Sequence, residues 1–284
     1  MKRKTIWGLS AAILAVLVIG GIVLSTRSNQ SGIAVNTKKV SQEKIVEKLN
    51  LSGTVIPKDS ENLIGSGTVT KVDVKVGDKV KKDQELAEYD NGLKLKAGQD
   101  GTVTEVNIKA GQPDASTQQN KAAIVVADLS ELEVQLKLTN SEAKQVKVDQ
   151  NAVITSGNQT FEGKVVQKDP TATASQATGE QATLGARVSL EKADDLYAGF
   201  TADVDITTAS VDDAVALPIE ALTYDKDNQA IVYTIKNGEA QAVKVKTGIQ
   251  SDTLVEIKDG LKVGDEVILS PSSEIKDGTA VTVE

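Results

Sequence analysis

The chain has 284 residues, 39% of them hydrophobic and 25% charged, with a net charge of −8 and neither Cys nor His. Those two gaps remove thiol nucleophiles, disulfides, the usual zinc ligand sets and the commonest general base at neutral pH. An acidic chain with only 2% aromatic residues also lacks the basic patch and the stacking platforms on which nucleic-acid binding relies.

Lys2, Arg3 and Lys4 precede Ile6 to Leu24, nineteen residues without a charge. As a helix this run spans about 29 Å and matches a hydrocarbon core of about 30 Å. A membrane anchor is predicted, carrying Ile6, Trp7, Leu14, Val18 and Leu24. The basic cluster places the N-terminus inside and Trp7 at the interface, so the rest of the chain lies outside a cytoplasmic membrane crossed once. A cleaved signal peptide fits less well, because the apolar run is long for one and no Ala-x-Ala site follows Leu24. The polar stretch from Thr26 to Ala34 reads as a flexible tether.

Strands are predicted between Val35 and Val55, ending at Pro57, with no partner nearby in sequence. The stretch Gly67–Asp78, Gly-Thr-Val-Thr-Lys-Val-Asp-Val-Lys-Val-Gly-Asp, then recurs at Gly101–Gln112 with seven identities in twelve positions at an offset of 34. Val72, Val74 and Val76 alternate with polar residues in the first copy, and Val106, Ile108 and Ala110 in the second, the period of a half-buried strand. Gly77 and Gly111 supply a residue that tolerates positive φ where each strand turns. Two copies imply one pseudo-symmetric β module. Between them, Asn91-Gly92 predicts a type I′ hairpin turn, and Ala122–Val126 closes the module.

Leu132, Val134, Leu136 and Leu138 alternate next, and Thr139-Asn-Ser-Glu142 matches a capping box opening a short helix to Val146. Further strands are predicted at Ala152–Thr155, Phe161–Val166, Ala186–Leu190 and Ala202–Thr207, at the spacing of a sandwich or barrel, with a low-complexity loop at Thr171–Thr183. In the last segment Ile231, Tyr233 and Ile235 alternate before an Asn237-Gly238 hairpin. Val263-Gly-Asp-Glu-Val267 echoes the opening Val-Gly-Asp-x-Val turn, an echo short enough to arise by chance.

The order of these pieces resembles the HlyD-like membrane fusion proteins, the periplasmic adaptors of efflux and export transporters. The residues carrying the resemblance are the half-units at Gly67–Val80 and Gly101–Gly111, Ala127-Asp-Leu-Ser-Glu-Leu-Glu-Val134, Leu196-Tyr-Ala-Gly-Phe200, Leu217–Leu222 and Ile257–Val267. Each motif is weak alone; their number and order make the match. The resemblance implies a mainly β, elongated multi-domain fold after one N-terminal transmembrane helix. It assigns 1–26 to a cytoplasmic tip and anchor and 27–34 to a linker. It assigns 35–58 with 209–284 to a discontinuous membrane-proximal β domain, 59–128 to a lipoyl-like barrel-sandwich hybrid, and 129–208 to a β-barrel.

Many adaptors of this family carry a long α-helical hairpin between the lipoyl halves, and Tyr89–Leu95 leaves no room for one. The hairpin docks an outer-membrane channel in the family, so a single-membrane envelope fits this chain better. The position resembling the modified lysine of lipoyl carriers holds Asp90, which has no amine, and Lys94 and Lys96 read as solvated strand lysines. Asp194-Asp195 and Asp212-Asp213 read as solvated turn charges, because adjacent residues on a strand face opposite ways and no spaced ligand run for calcium appears.

No catalytic, cofactor-binding or metal-binding residue is therefore assigned, and no cofactor. The resemblance implies a non-enzymatic adaptor. Its partners are the membrane, a permease of ABC type with an extracytoplasmic domain by family analogy, and further copies of the chain. The alternative is an anchored binding or envelope structural protein without a pump. Apart from the anchor, Asp90, Asn91 and Gly92 are the candidate partner-contact residues.

Overall fold

The computed structural model describes residues 32–174, 181–191 and 196–284. The anchor residues Ile6, Trp7, Leu14, Val18 and Leu24, and the Asp194-Asp195 pair, lie outside the described residues. Among the described residues no helix is long and apolar enough to cross a membrane, and no group of three or more acidic side chains is arranged to hold a metal.

The strands run β1 (Ile33–Val35), β2 (Thr37–Lys39), β3 (Ser41–Pro57), β4 (Ser60–Leu63), β5 (Val69–Val72), β6 (Lys79–Val80), β7 (Glu85–Tyr89), β8 (Lys94–Lys96), β9 (Gly101–Val106) and β10 (Ile124–Ala127). Next come β11 (Leu132–Leu138), helix α1 (Asn140–Gln145), β12 (Asn151–Ser156), β13 (Gln159–Thr173), β14 (Thr183–Ser189) and β15 (Thr201–Pro218). The chain ends with β16 (Thr223–Tyr224), β17 (Ala230–Lys236), β18 (Glu239–Lys244), β19 (Lys246–Gln250), β20 (Leu254–Asp259), β21 (Glu266–Ile268) and β22 (Val281–Val283). They form two compact units, Val46–Ser210 and a discontinuous one of residues 32–45 with Val211–Glu284.

In the first unit the duplicated module is a sandwich of two antiparallel sheets, β4-β10-β9-β6 and β5-β7-β8. Leu86, Tyr89, Val103, Ile124 and Val126 fill the space between them. The β valines do not alternate as far as predicted: β5 ends at Val72, and Val76 is 60% exposed. Val76 and Ala110 occupy the corner of a turn, where the side chain points away from the core.

The same unit holds a closed barrel, β12-β13-β14-β11-β3-β15, shut by β15 pairing back onto β12. Val134, Leu136, Leu138, Ile154, Val165, Val188, Val204 and Ile206 point inward from alternate positions. Closure removes the unpaired edges that alternating strands would otherwise expose. Of residues 46–57, grouped from sequence with the membrane-proximal segment, Gly53–Pro57 pair here with β11, and Leu49, Leu51 and Val55 join the barrel core. Helix α1 has its capping box: the Thr139 side chain accepts the Glu142 N–H while the Glu142 carboxylate accepts the Thr139 N–H. The predicted loop at Thr171–Thr183 is shorter than expected, since Ala172 and Thr173 pair with Leu184 and Thr183.

The second unit centres on β16-β17-β21-β2 with β18 on β17. Asn237 and Gly238 both take positive φ (56° and 80°), the type I′ turn expected there. Val40, Leu217, Val232 and Val267 form one core cluster and Val35, Ile268, Ile275 and Val281 another. Asp212-Asp213 lies on strand β15 rather than a turn, exposed as expected, with Asp212 2.8 Å from the Lys44 ammonium.

One turn recurs through both units. At Lys75–Asp78, Lys81–Gln84, Lys109–Gln112, Lys147–Gln150, Tyr197–Phe200, Lys262–Asp265 and Lys276–Thr279, the third residue has φ between 68° and 97°. Its N–H donates to the carbonyl of a single residue outside the turn, and that residue's N–H donates back to the carbonyl of the fourth. The seven receiving residues, Val103, Ala97, Val69, Val165, Val55, Val40 and Ala240, are all buried. In five copies the fourth side chain also accepts the N–H of the first residue, as Asp78 does from Lys75 at 3.0 Å and Asp265 from Lys262 at 2.8 Å. The Val-Gly-Asp echo is thus a shared geometry.

A Cβ added at Gly77 meets nothing within 4 Å, so substitution there tests backbone strain alone. Gly77→Ala is expected to lower stability by about 1–2 kcal/mol, whereas Asp149→Gly, where φ is already 71°, is expected to cost nothing. Urea unfolding midpoints decide it, and a wild-type midpoint for Gly77→Ala would refute the demand for positive φ.

Candidate functional site

The candidate contact residues lie where β7 turns into β8, at one end of the sandwich. The turn is not type I′. Only Gly92 takes positive φ (81°); the Gly92 N–H donates to the Tyr89 carbonyl at 3.0 Å, and the Tyr89 N–H to the Leu93 carbonyl at 2.9 Å. This is a three-residue loop with glycine in the bulge position.

The reason is side-chain chemistry. Asn91 Oδ1 accepts the Leu93 N–H and its amide donates to the Ser66 carbonyl, both at 2.9 Å. Asp90 Oδ1 accepts the Thr68 N–H at 3.1 Å while its own N–H donates to the Thr68 carbonyl. Both exposed side chains therefore also brace the loop between β4 and β5. Gly92 alone has open space beside it. The apolar side chains exposed at this end are Ile64 and Leu93.

Beneath the turn Tyr89 is 2% exposed. Its hydroxyl donates to Asp114 Oδ2 at 2.7 Å, and Asp114 Oδ1 accepts the Ser116 N–H at 2.9 Å. The Asp114 N–H donates to the Gly67 carbonyl, tying the second half-unit to the same loop. A Cβ at Gly65 would lie 2.0 Å from the Tyr89 hydroxyl oxygen, so only glycine lets the backbone cross the ring. Burial pushes the Tyr89 phenol up, and its bond to the carboxylate pushes it further. Burial also pushes Asp114 up, but its hydrogen bonds hold it below the usual carboxylate range. The Ser116 hydroxyl has no hydrogen-bond partner among the described residues, so the Tyr89 phenol and the Ser116 N–H are the bonds that hold the carboxylate low. Sequence reasoning missed this pair, because nothing in a Tyr and an Asp 25 positions apart marks them as partners.

Two family models match the chain: the YknX barrel-sandwich hybrid domain over residues 64–127 and the YknX C-terminal permuted SH3-like domain over 214–283. YknX of Bacillus subtilis (strain 168), described as a candidate efflux system component, is 32% identical over 207 residues, 70% of this chain and 54% of that protein. The chain belongs to the HlyD-like family of membrane fusion proteins. The macrolide export protein MacA of Escherichia coli O157:H7 is 29% identical over 63% of this chain and 48% of its own length. The chain thus spans about half the length of the curated relatives it matches. The crystal structure of MacA from Actinobacillus actinomycetemcomitans superposes with a TM-score of 0.69 at 19% identity, covering 83% of this chain and 99% of that one. A MacA-MexA chimera containing the Pseudomonas aeruginosa MexA α-hairpin domain gives 0.65 at 20% identity, covering 82% and 99%. At these identities the structural likeness shows the fold. In this membrane fusion protein the hairpin's place between the lipoyl halves is taken by the braced Asp90–Gly92 loop.

Asp114, held low in the folded state, contributes stability above the ordinary carboxylate range near 4, and that contribution is lost as pH falls through its lowered value. Tyr89→Phe is expected to lower stability by about 1–2 kcal/mol at pH 7. Urea titrations from pH 7 to pH 3 should show the gap to wild type closing as the carboxylate protonates. A gap that stays constant would remove Asp114 from the account.

Proposed function

We propose that this chain is a membrane-anchored, extracytoplasmic and non-enzymatic adaptor of an export or efflux transporter, working with a cytoplasmic-membrane permease of ABC type as a homo-oligomer. The observation that carries the reading is the pair of YknX domain matches over residues 64–127 and 214–283, with the relatives described as efflux and export components. Residues 6–24 serve as the anchor, with the N-terminus inside. In this reading 35–58 and 209–284 belong to the membrane-proximal segment, with 46–57 contributing a strand to the barrel, 59–128 is the lipoyl-like domain and 129–208 the rest of the barrel. Asp90, Asn91 and Gly92 build the partner-contact end, with Asp90 and Asn91 also bracing its loop. A blunt end suits an envelope with one membrane.

The chemistry required is mechanical: a rigid β scaffold held beside a pump, with no proton or group transfer by its own residues. Deletion of the chain is expected to abolish export, and replacing Ile6–Leu24 by a cleavable signal to do the same while the secreted chain still folds. Export that survives deletion would sink the reading. Insertion of a flexible segment between Asn91 and Gly92 is expected to impair export without lowering the unfolding free energy by more than about 1 kcal/mol, since loop lengthening costs little entropy. Normal export by the folded insertion variant would discard the tip as a contact.

A further inference from the structure

The chain enters the second unit at a point fixed by hydrogen bonds. The Ile33 N–H donates to the Ala280 carbonyl at 2.9 Å, and β1 runs parallel to β22 with Ile33 opposite Val281. Gly32 packs so closely there that a Cβ on it would lie 2.7 Å from the Val281 carbonyl carbon. The Val281 N–H in turn donates to the Gly238 carbonyl at 2.9 Å, and Glu239 forms a bridge with Ala280. The Gly278 N–H donates to the Ala240 carbonyl at 2.8 Å, which brings the Lys276–Thr279 turn to the same end. The entry point therefore lies beside two turns, with the Asn237-Gly238 corner about 10 Å from Gly32, two strand spacings away.

Covalent length ties that end to the membrane. In the adaptor reading the anchor ends at Leu24, and eight Cα–Cα steps lead from there to Gly32. Eight steps span at most about 28 Å, of which the headgroup layer takes about 6 Å. The polar composition of the stretch reads as a coil, and a coil of that length averages about 16 Å from end to end. Strand β17 leads away from the Asn237 corner for seven residues to the turn at Asp225–Gln229, which is closed by the bond from the Asp225 N–H to the Gln229 carbonyl. That far turn is about 20 Å away. Inverted, the unit would lift Gly32 by that length and stretch the tether almost to its limit.

Charge does not separate the two ends. Lys236 and Lys276 stand at the near one with Glu239, Glu274 and Asp277, and Lys226 at the far one with Asp225 and Asp227. Side-chain shape differs: the far end exposes Tyr224 at 60%, whereas Gly238 and Gly278 at the near end have open space beside them. An aromatic alone would favour the far end at an interface, but it would have to overcome the tether. We infer that the second unit rests on the headgroup layer of its own membrane by the end built from the Asn237-Gly238 and Lys276–Thr279 turns, with the Asp225–Gln229 turn pointing away. This rests on the anchored reading above and adds which face of the unit the lipid meets.

The chain has no Cys, so a single one reports its own position. Asn228 and Asn237 are both exposed, take φ of 58° and 56° and flank opposite ends of β17, so Asn228→Cys and Asn237→Cys meet the same backbone demand. Each full-length variant is reconstituted in vesicles of phosphatidylcholine and phosphatidylglycerol and labelled with a membrane-impermeant donor maleimide. Energy transfer to an acceptor dye on the lipid headgroups is expected to be at least twofold greater from position 237 than from position 228. The difference is expected to persist at high salt, since the tether and not charge sets the distance. Equal transfer, or more from position 228, would overturn the assignment and leave the anchored reading intact. Release of both labelled variants when the vesicles are washed would overturn the two together. With p-benzoylphenylalanine in place of Asn237 in the cell membrane, ultraviolet light should attach lipid. Absence of a lipid adduct, or a cross-link to the permease or to a second copy in its place, would remove the headgroups as the occupant of this face.

Discussion

The constraint on which this fold depends is the pairing of one buried backbone residue with one sharp turn. Val40, Val55, Val69, Ala97, Val103, Val165 and Ala240 sit in the core, each with an N–H and a carbonyl that must be satisfied away from water. In every case a four-residue turn supplies both partners, and it does so only if its third residue takes positive φ. The glycine or aspartate at that position is therefore required by a hydrogen bond made to a residue outside the turn. Short strands follow from the same rule: a sheet strand such as Lys79–Val80, two residues long, is held because the turns at Lys75–Asp78 and Lys81–Gln84 clamp it at both ends.

The tip of the sandwich obeys a related rule with side chains in place of backbone. Asp90, Asn91 and the Tyr89–Asp114 pair gather the loops at Ser66–Thr68 and Gln112–Ser116 around one aromatic ring. Asp90, which stands where a carrier protein would hold its lysine, has the opposite function of an acceptor that closes the loop. The braces hold the loops at the end of the module together.

Within the barrel the same turn changes use when its outer residues change. Where Lys and Asp occupy the first and fourth positions, the side chains support the turn itself. Where Tyr197 and Phe200 occupy them, the backbone bonds alone suffice and the side chains face outward. A fold built from one repeated clamp thus leaves the turn corners free to vary.

The sequence by itself determined the β class, the duplication, the capping box at Thr139 and the positive φ at Gly77, Gly111 and Gly238, because each follows from neighbours within a few residues. It also carried the family resemblance, through the order of weak motifs along the chain. What only the tertiary structure decided rests on partners far apart in the chain. Residues 46–57 joined the barrel because Gly53–Pro57 pair with β11 and Leu49, Leu51 and Val55 pack into its core, and Val76 fell at a corner because Val103 draws Gly77 inward. Asn91-Gly92 left type I′ geometry as the Ser66 carbonyl took the Asn91 amide and the Thr68 N–H took the Asp90 carboxylate. Local periodicity encodes which way a side chain faces along one strand, but the point where the strand stops is set by the hydrogen bonds of another.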